Sequence, residues 1–207
     1  MQEETDKQLT DAQKKAAAFL TRQGVRFAPA WYAAREAEEE KRKAEETARK
    51  EKEMAAAVAW AKAGDVMPDG TVYLGLYKGK DWFVTAGGAK DGDGKNLTMD
   101  FNSAAAYAQN LKAHGHDDWI VPPHGGASKE PDILLEMFNN KSKGAFKDTY
   151  DEGDSLDSGI YWSSSLASGD PGYARVQGFG DTYQHWTHHK DDTERVSLRC
   201  VRAVPHP

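Results

Sequence analysis

The amino-terminal third of the chain carries apolar residues at helical spacing, followed by a long charged stretch. Over residues 5–23 apolar side chains recur every three or four positions, which predicts an amphipathic helix that ends at Gly24. A second helix is predicted over residues 29–64. Its centre, residues 35–53, is nearly all charged and therefore has little apolar surface to bury.

Charged residues in this second helix are spaced for ion pairing. Four Glu residues precede a basic residue by four positions, which is the order that supports a helix. The pairs are Glu38–Arg42, Glu39–Lys43, Glu45–Arg49 and Glu46–Lys50. Two interpretations stay open: a solvated spacer, or a thin seam of Ala37, Ala44 and Ala48 that contacts another subunit or a scaffold. Residues 54–63, which include Trp60, are apolar again and are expected to pack on the following domain.

Beyond Gly64 the pattern changes to short apolar runs separated by glycine-rich turns. Residues 71–77 and 81–85 flank a Lys-Gly-Lys turn, which predicts a β-hairpin. The change in pattern divides the chain into a helical docking or spacer segment, residues 1–64, and a second domain, residues 65–207.

Two short helices are predicted after the hairpin. The first spans residues 104–113, with Asn102 or Ser103 as its cap. The second spans residues 131–140. The stretch between them, residues 117–123, is predicted to be extended and buried.

Strands dominate the rest of the domain. Residues 159–165 combine Tyr161-Trp162 with three serines, which predicts a central strand whose serines let a neighbouring backbone approach closely or offer hydroxyls to it. Residues 173–179 and 195–204 predict further strands, with a long polar and aromatic loop at residues 180–194. The order of hairpin, helices and antiparallel strands predicts an α+β fold with long loops.

Charge and composition exclude several classes of protein. The net charge of −6 argues against a nucleic-acid binder that relies on bulk attraction to phosphate. No run approaches the roughly 18 apolar residues of a membrane span, and residues 1–7 lack the apolar core of a secretory signal. The single cysteine, Cys200, allows no intrachain disulfide, and its alternation with Val196 and Leu198 predicts a buried side chain.

Signals for catalysis or metal binding are weak. Residues 91–96 resemble the start of a calcium loop, but Lys95 replaces a ligand and the glycine and final glutamate of such a loop are missing. His185 and His189 are four residues apart in a predicted loop, where the helical argument for zinc fails. The serines of residues 163–165 lack the glycine-flanked turn of a nucleophile. We predict no catalytic residue, no metal and no cofactor, and therefore no enzyme.

Aromatic and polar side chains concentrate near the carboxyl end, as is typical of contact surfaces. The predicted ligand-contact residues are Tyr173, Arg175, Tyr183, His185, Trp186, His188 and His189. An alternative stays open, in which Trp186 packs in the domain core and the others are solvated.

Five motifs occur in order across residues 67–204. They are Ala104-Ala105-Ala106-Tyr107-Ala108-Gln109-Asn110-Leu111, Gly115-His116-Asp117-Asp118-Trp119-Ile120-Val121-Pro122, Met137-Phe138-Asn139-Asn140, Tyr161-Trp162-Ser163-Ser164-Ser165 and Leu198-Arg199-Cys200-Val201-Arg202. Together they resemble the C-type-lectin-like domain family named for the carboxy-terminal domain of a Legionella collagen-like adhesin. The resemblance implies a C-type-lectin-like scaffold that follows the helical extension in the chain. The residues that we place in the core of this scaffold are Trp119, Tyr161, Trp162 and Cys200.

The chain departs from this family at three places. Ile120 stands where the family usually has Arg, Pro123 stands where it has Thr, and residues 124–129 are inserted before the second helix. These changes leave the expected scaffold intact but carry over no ligand preference. The tripeptides through which sugar-binding C-type lectins use calcium are also missing, so calcium-dependent sugar binding is not expected.

The resemblance implies a role in binding. Relatives with this scaffold serve as adhesins, and more distant ones are hypervariable receptor-binding proteins of phages and bacteria. We therefore expect a non-enzymatic binding or display module in a virion, in a tail fibre or on a capsid. Residues 1–63 would dock it to scaffold or virion proteins, homo-oligomerisation stays open, and the domain would bind a protein or glycan. The alternative is a bacterial surface adhesin that is exported without a cleavable signal. Outside a virion, the expected location is the bacterial cell surface or the cytoplasm. An enzyme on this fold ranks third.

Overall fold

The structure is a computed structural model. It describes residues 15, 19, 29–90, 92–94, 96–125, 131–152, 159–180, 186–190 and 195–206. The chain divides into two compact units, Met1–Lys52 and Glu53–Pro207. Apart from Lys15 and Phe19, which are helical, the predicted helix over residues 5–23 and its end at Gly24 lie outside the described residues.

A long helix, α1 (Pro29–Val58), crosses the charged stretch and ends at Val58 rather than at the predicted Gly64. Two of the predicted ion pairs form, with nitrogen–oxygen distances of 3.2 Å for Glu39–Lys43 and 2.7 Å for Glu46–Lys50. Both pairs are exposed and are screened by solvent, so they contribute little to stability. In the described part of the chain, no helix is both long and apolar enough to cross a membrane.

The last turns of α1 and the residues after it belong to the second unit and pack within it through an apolar stripe at i, i+3, i+4 and i+7 spacing. The stripe residues are Met54, Ala57, Val58 and Ala61. They pack against the buried cluster of Met67, Tyr73 and Phe83, as Val204 also does. Trp60 was expected to pack here too, but its side chain is 87% exposed because it lies to one side of this stripe.

The first and last strands of the second unit lie in one antiparallel sheet of order β1–β2–β8. Its strands are β1 (Val72–Tyr77), β2 (Lys80–Val84) and β8 (Val201–Pro205). The predicted hairpin is confirmed. Lys78 and Gly79 connect β1 to β2 with φ angles of 50° and 74°, the left-handed conformation that suits a two-residue hairpin turn.

Helix α2 (Phe101–Asn110) follows the short strand β3 (Thr98–Met99). Its cap is Asp100, whose carboxylate accepts a hydrogen bond from the Ser103 backbone N–H at 2.9 Å, and not Asn102 or Ser103 as predicted. A carboxylate at this position also suits the positive end of the helix dipole.

Helix α3 (Ile133–Asn139) is confirmed within the predicted residues 131–140. Asp132 caps it through the Leu135 backbone N–H at 3.0 Å. Its buried side chains are Ile133, Leu134 and Met137. A short 3-10 helix, Gly144–Phe146, follows and buries Phe146 in the same cluster.

The second sheet has the order β3–β7–β4–β5–β6, so the predicted central strand is confirmed as the middle one. Its remaining strands are β4 (Ile160–Ala167), β5 (Asp170–Gly178), β6 (Trp186–His189) and β7 (Val196–Ser197). β4 pairs with β5 antiparallel and with β7 parallel. The Trp162 indole N–H donates to the Met99 carbonyl at 2.7 Å, which ties β4 to β3.

Two predictions for the carboxyl end are wrong. The single strand expected over residues 195–204 is two strands, β7 and β8, which lie in different sheets. The expected loop over residues 180–194 contains the edge strand β6. An alternating apolar pattern indicates extended backbone, but it does not say which neighbour the backbone pairs with.

The structure buries all four residues that the sequence places in the core. Trp119, Trp162 and Cys200 lie in the cluster between α2 and the second sheet, and Tyr161 lies in the cluster between the two sheets. Tyr161 therefore faces one side of β4 and Trp162 faces the other, as alternation along a strand requires. Residues 117–123 are extended, but only Trp119, Val121 and the prolines are buried, and Ile120 is 44% exposed.

The turn before β1 is held by one carboxylate. Asp69 accepts hydrogen bonds from the Thr71 backbone N–H at 2.9 Å and hydroxyl at 2.7 Å, and its second oxygen lies 2.8 Å from Nε2 of His116. Burial alone would raise the pKa of Asp69, but the bonds from Thr71 and His116 outweigh burial and lower it.

This lowered pKa makes the turn acid-sensitive. A carboxylate with a folded pKa below its unfolded value of about 3.9 adds stability above that value and loses it as the pH falls through the folded pKa. We expect Asp69→Asn to lower the free energy of unfolding by about 1–2 kcal/mol at pH 7, and by much less near pH 2.5. Urea unfolding at both pH values measures the difference in free energy of unfolding between the variant and the unmodified chain. Asp117→Asn, at an exposed position, is the control. A loss of stability in Asp69→Asn that is as large in acid as at pH 7 would contradict the role assigned to the Asp69 carboxylate.

Candidate functional site

The paired strands β5 and β6 carry the described part of the predicted contact region. Their register sets Tyr173 opposite His189, Ala174 opposite His188 and Arg175 opposite Thr187. Ala174 is fully buried, whereas Tyr173 and Thr187 are exposed. Because successive side chains point to opposite sides of a strand, one side of this pair faces the core and the other faces outward. We call Tyr173, Arg175, Thr187 and His189 the outward face.

An aromatic pair lies on the outward face. The rings of Tyr173 and His189 are 5.0 Å apart between centroids and nearly perpendicular, at 88°. Edge-to-face packing of this kind holds both rings in place while Tyr173 stays 37% exposed. The face therefore presents an ordered aromatic surface beside a guanidinium and a hydroxyl.

The backbone beneath this face is tied to the central strand. The Ser163 hydroxyl donates to the Arg175 carbonyl at 2.8 Å. Below it, Val176 and Trp162 are fully buried. A contact surface on a strand pair anchored in this way loses little conformational entropy on binding.

His188 does not belong to the exposed contact set in which the sequence placed it. Its side chain is only 7% exposed and meets the Trp162 ring edge-on, with centroids 6.2 Å apart. The reason is strand alternation: once β6 forms with His189 outward, His188 must face the core.

The other predicted contact residues are only partly described. Tyr183 and His185 lie outside the described residues. The backbone of Trp186 begins β6 at the register position opposite Val176, and its side chain is outside the described part. Thr187 was missed, because its place on the outward face follows only from the existence of β6.

The hydroxyls of β4 contact neighbouring backbone, as predicted from the serine run. Besides the Ser163 bond, the Ser165 hydroxyl accepts the His124 backbone N–H at 3.0 Å. The Ser164 backbone N–H donates to the Pro122 carbonyl at 3.0 Å. These contacts fix the connection before α3 onto the central strand.

The remaining reactive side chain is buried. Burial raises the pKa of the Cys200 thiol to about 12, so it stays protonated at neutral pH and is a poor nucleophile. Among the described residues, no three His, Cys, Asp or Glu side chains are grouped so as to hold a metal ion. Asp91 and Lys95 of the calcium-like stretch lie outside the described residues.

The outward face combines groups suited to contact with a polar partner. A tyrosine, an imidazole, a guanidinium and a hydroxyl supply both hydrogen-bond donors and acceptors on a rigid aromatic base, a combination typical of binding surfaces. Comparison of the chain with protein-family models, with curated proteins and with solved structures gave no match.

Proposed function

We propose that the chain is a non-enzymatic binding module that uses the outward face to contact a protein or glycan ligand. The observation that carries this proposal is the edge-to-face pair of the exposed Tyr173 and the partly exposed His189, beside Arg175 and Thr187. Tyr and Arg are enriched among residues that dominate binding energy. The buried core beneath the face holds it in one conformation before any ligand arrives.

The domain is proposed to be C-type-lectin-like. Support comes from the order of hairpin, two helices and antiparallel strands, together with the positions of the motifs that carry the resemblance. The motif around Trp162 forms the central strand, and the motif around Cys200 connects the two sheets. Fold by itself does not establish function, so the ligand class rests on the outward face and not on the resemblance.

The absence of catalysis is part of the same proposal. Support comes from the side chains that would be the nucleophiles, since the hydroxyls of Ser163 and Ser165 bind backbone groups and Cys200 is buried and protonated. None of the three is placed to attack a bound substrate.

The setting that we propose is a virion, with residues 1–63 docking to scaffold or virion proteins. Support comes from α1, whose residues 33–53 are exposed throughout. An exposed helix this polar fits a spacer or a seam between subunits. The second candidate is a bacterial surface adhesin, and co-purification of the chain with phage particles or with cell envelopes separates the two.

The outward face can be tested with one combined variant. Tyr173→Ala, Arg175→Ala and His189→Ala together are expected to reduce labelling of bacterial cells or glycans at least about tenfold, because each removes a contact side chain. The measurement is flow cytometry with the fluorescent full chain on a panel of intact Gram-negative and Gram-positive cells, with a bacterial glycan array in parallel. The melting temperature should change by only a few degrees, since all three side chains lie on the solvent side.

The matched control is a double variant at the end of α2. Asn110→Ala combined with Lys112→Ala changes exposed side chains on and just beyond α2, and it should keep the labelling of the unmodified chain. Labelling that survives in the triple variant would overturn the outward face as the site. Absence of labelling on every cell and glycan would argue against a surface ligand altogether.

A further inference from the structure

A cleft of about 320 Å³ opens between the three-stranded sheet and the connection before α3. The floor of the cleft is formed by one side of the three-stranded sheet. Lys80 and Trp82 alternate onto this side of β2, Tyr77 pairs with Lys80, and Ala203 pairs with Trp82. The opposite wall contains Ser164 of β4.

The walls of the cleft are mainly apolar. Ile120 lines one side and is 44% exposed, although its neighbours Trp119 and Val121 are buried. Pro123 and Pro131, from the two ends of the connection before α3, line the other side. A volume near 300 Å³ lies at the lower end of the range for small-molecule sites.

The described charged residues that line the cleft are all positive. They are Lys78 and Lys80, and no described Asp or Glu lines the cleft, although the whole chain carries a net charge of −6. Lys80 is exposed and, within the described part of the chain, makes no ion pair. An ammonium at the mouth of an apolar cleft favours a ligand whose anionic group stays near water while its apolar part is buried.

The end of the cleft that Tyr77 lines lies close to a carboxylate. The Tyr77 hydroxyl donates to the Glu136 carboxylate at 3.1 Å. Burial, together with this carboxylate, raises the pKa of Tyr77 to about 12, so the phenol remains a donor to Glu136. The Glu136 charge repels an anion at that end, which leaves the lysine rim as the place for a negative group.

We propose that this cleft is a second binding site, which takes a small carboxylic acid with an apolar tail. The carboxylate pairs with Lys80, and the tail lies over Trp82 and Ala203 against Ile120. The proposal is independent of the outward face, because the two sites share no residue.

The test follows the Trp82 indole N–H signal of the ¹⁵N-labelled full chain, identified by its loss in Trp82→Phe. The probe is 3-phenylpropionate, and 3-phenylpropanamide is its neutral counterpart of the same shape. We expect a saturable shift with the acid, with a Kd on the order of 1 mM. The amide should bind at least about tenfold more weakly, because it lacks the charge that Lys80 recognises.

Two variants test separately the contact with the carboxylate and the contact with the apolar tail. Lys80→Gln should weaken acid binding to the level of the amide, and Ala203→Leu should weaken both probes by filling the floor. Lys112→Gln, in a different surface groove, should bind as the unmodified chain does. Equal binding of acid and amide, undiminished binding by Lys80→Gln, or no saturable shift up to about 20 mM would each overturn the proposal.

Discussion

Replacing Arg199 by Ala is expected to remove about 4 kcal/mol from the free energy of unfolding, a large part of the stability of a typical domain. Arg199 is 1% exposed, the most deeply buried charged side chain in the described part of the chain. Its guanidinium donates to the Thr85 carbonyl at 3.1 and 2.9 Å, to the Ala86 carbonyl at 3.0 Å and to the Thr149 hydroxyl at 2.7 Å.

These bonds explain how a buried cation is tolerated although no carboxylate of the described residues pairs with it. The guanidinium carbon also lies 4.2 Å from the centroid of the Tyr150 ring, whose face attracts a cation. Burial lowers the pKa of Arg199, but an arginine stays charged in proteins. Truncation to Ala leaves a cavity and strands the carbonyls of Thr85 and Ala86, and the two losses add.

A second variant keeps the test informative if Arg199→Ala does not fold. Arg199→Met fills most of the volume without a buried charge, so it should lose only about half as much stability. Arg195→Ala, at an exposed position nearby in the chain, is the control. Urea unfolding gives the free energy of unfolding of all three variants. A loss below about 1 kcal/mol in Arg199→Ala would show that the guanidinium contributes little to the stability of the domain.

The second large effect is expected from truncation at the amino-terminal side. Removing residues 1–63 deletes the stripe of Met54, Ala57, Val58 and Ala61, and exposes the cluster on which it packs. We expect a loss of roughly 3–5 kcal/mol, from about 25 cal/mol per Å² of apolar surface returned to water. For a domain of this size that lowers the melting temperature by roughly 10 °C.

A shorter truncation is the matched control. Removing residues 1–46 keeps the stripe and leaves Thr47 as a new helix cap, so the melting temperature should stay close to that of the full chain. Thermal unfolding followed by circular dichroism compares the two. Equal melting temperatures for both truncations would show that the end of α1 does not belong energetically to the domain.

Features that depend on neighbouring residues were predictable from sequence. The β1–β2 hairpin follows from the Lys78-Gly79-Lys80 turn signal between apolar runs, and α3 follows from Asp132 and the apolar spacing after it. β4 was recognisable because Tyr161 and Trp162 supply a large apolar side chain on each of its sides. In each case local turn chemistry or periodicity carries enough information by itself.

Features that depend on distant residues were not predictable. The break at Leu198–Cys200 sends one apolar run into two sheets because its partners, Thr98–Met99 and Lys80–Val84, are far away in the chain. The candidate site follows the same rule. Tyr173 and Arg175 lie in a strand that the sequence predicted, but the side of β6 that faces outward depends on its register with β5.

By itself, the sequence determined that the second unit is an α+β domain with a central aromatic strand and that a charged helix precedes it. Alternation, turn residues and helical spacing are local properties, and they act before any tertiary contact forms. Only the tertiary structure decided that Arg199 is buried, that His188 faces the core while His189 faces outward, and that lysines border an apolar cleft. Burial, register and charge grouping are relations between segments far apart in the chain, so no short stretch encodes them.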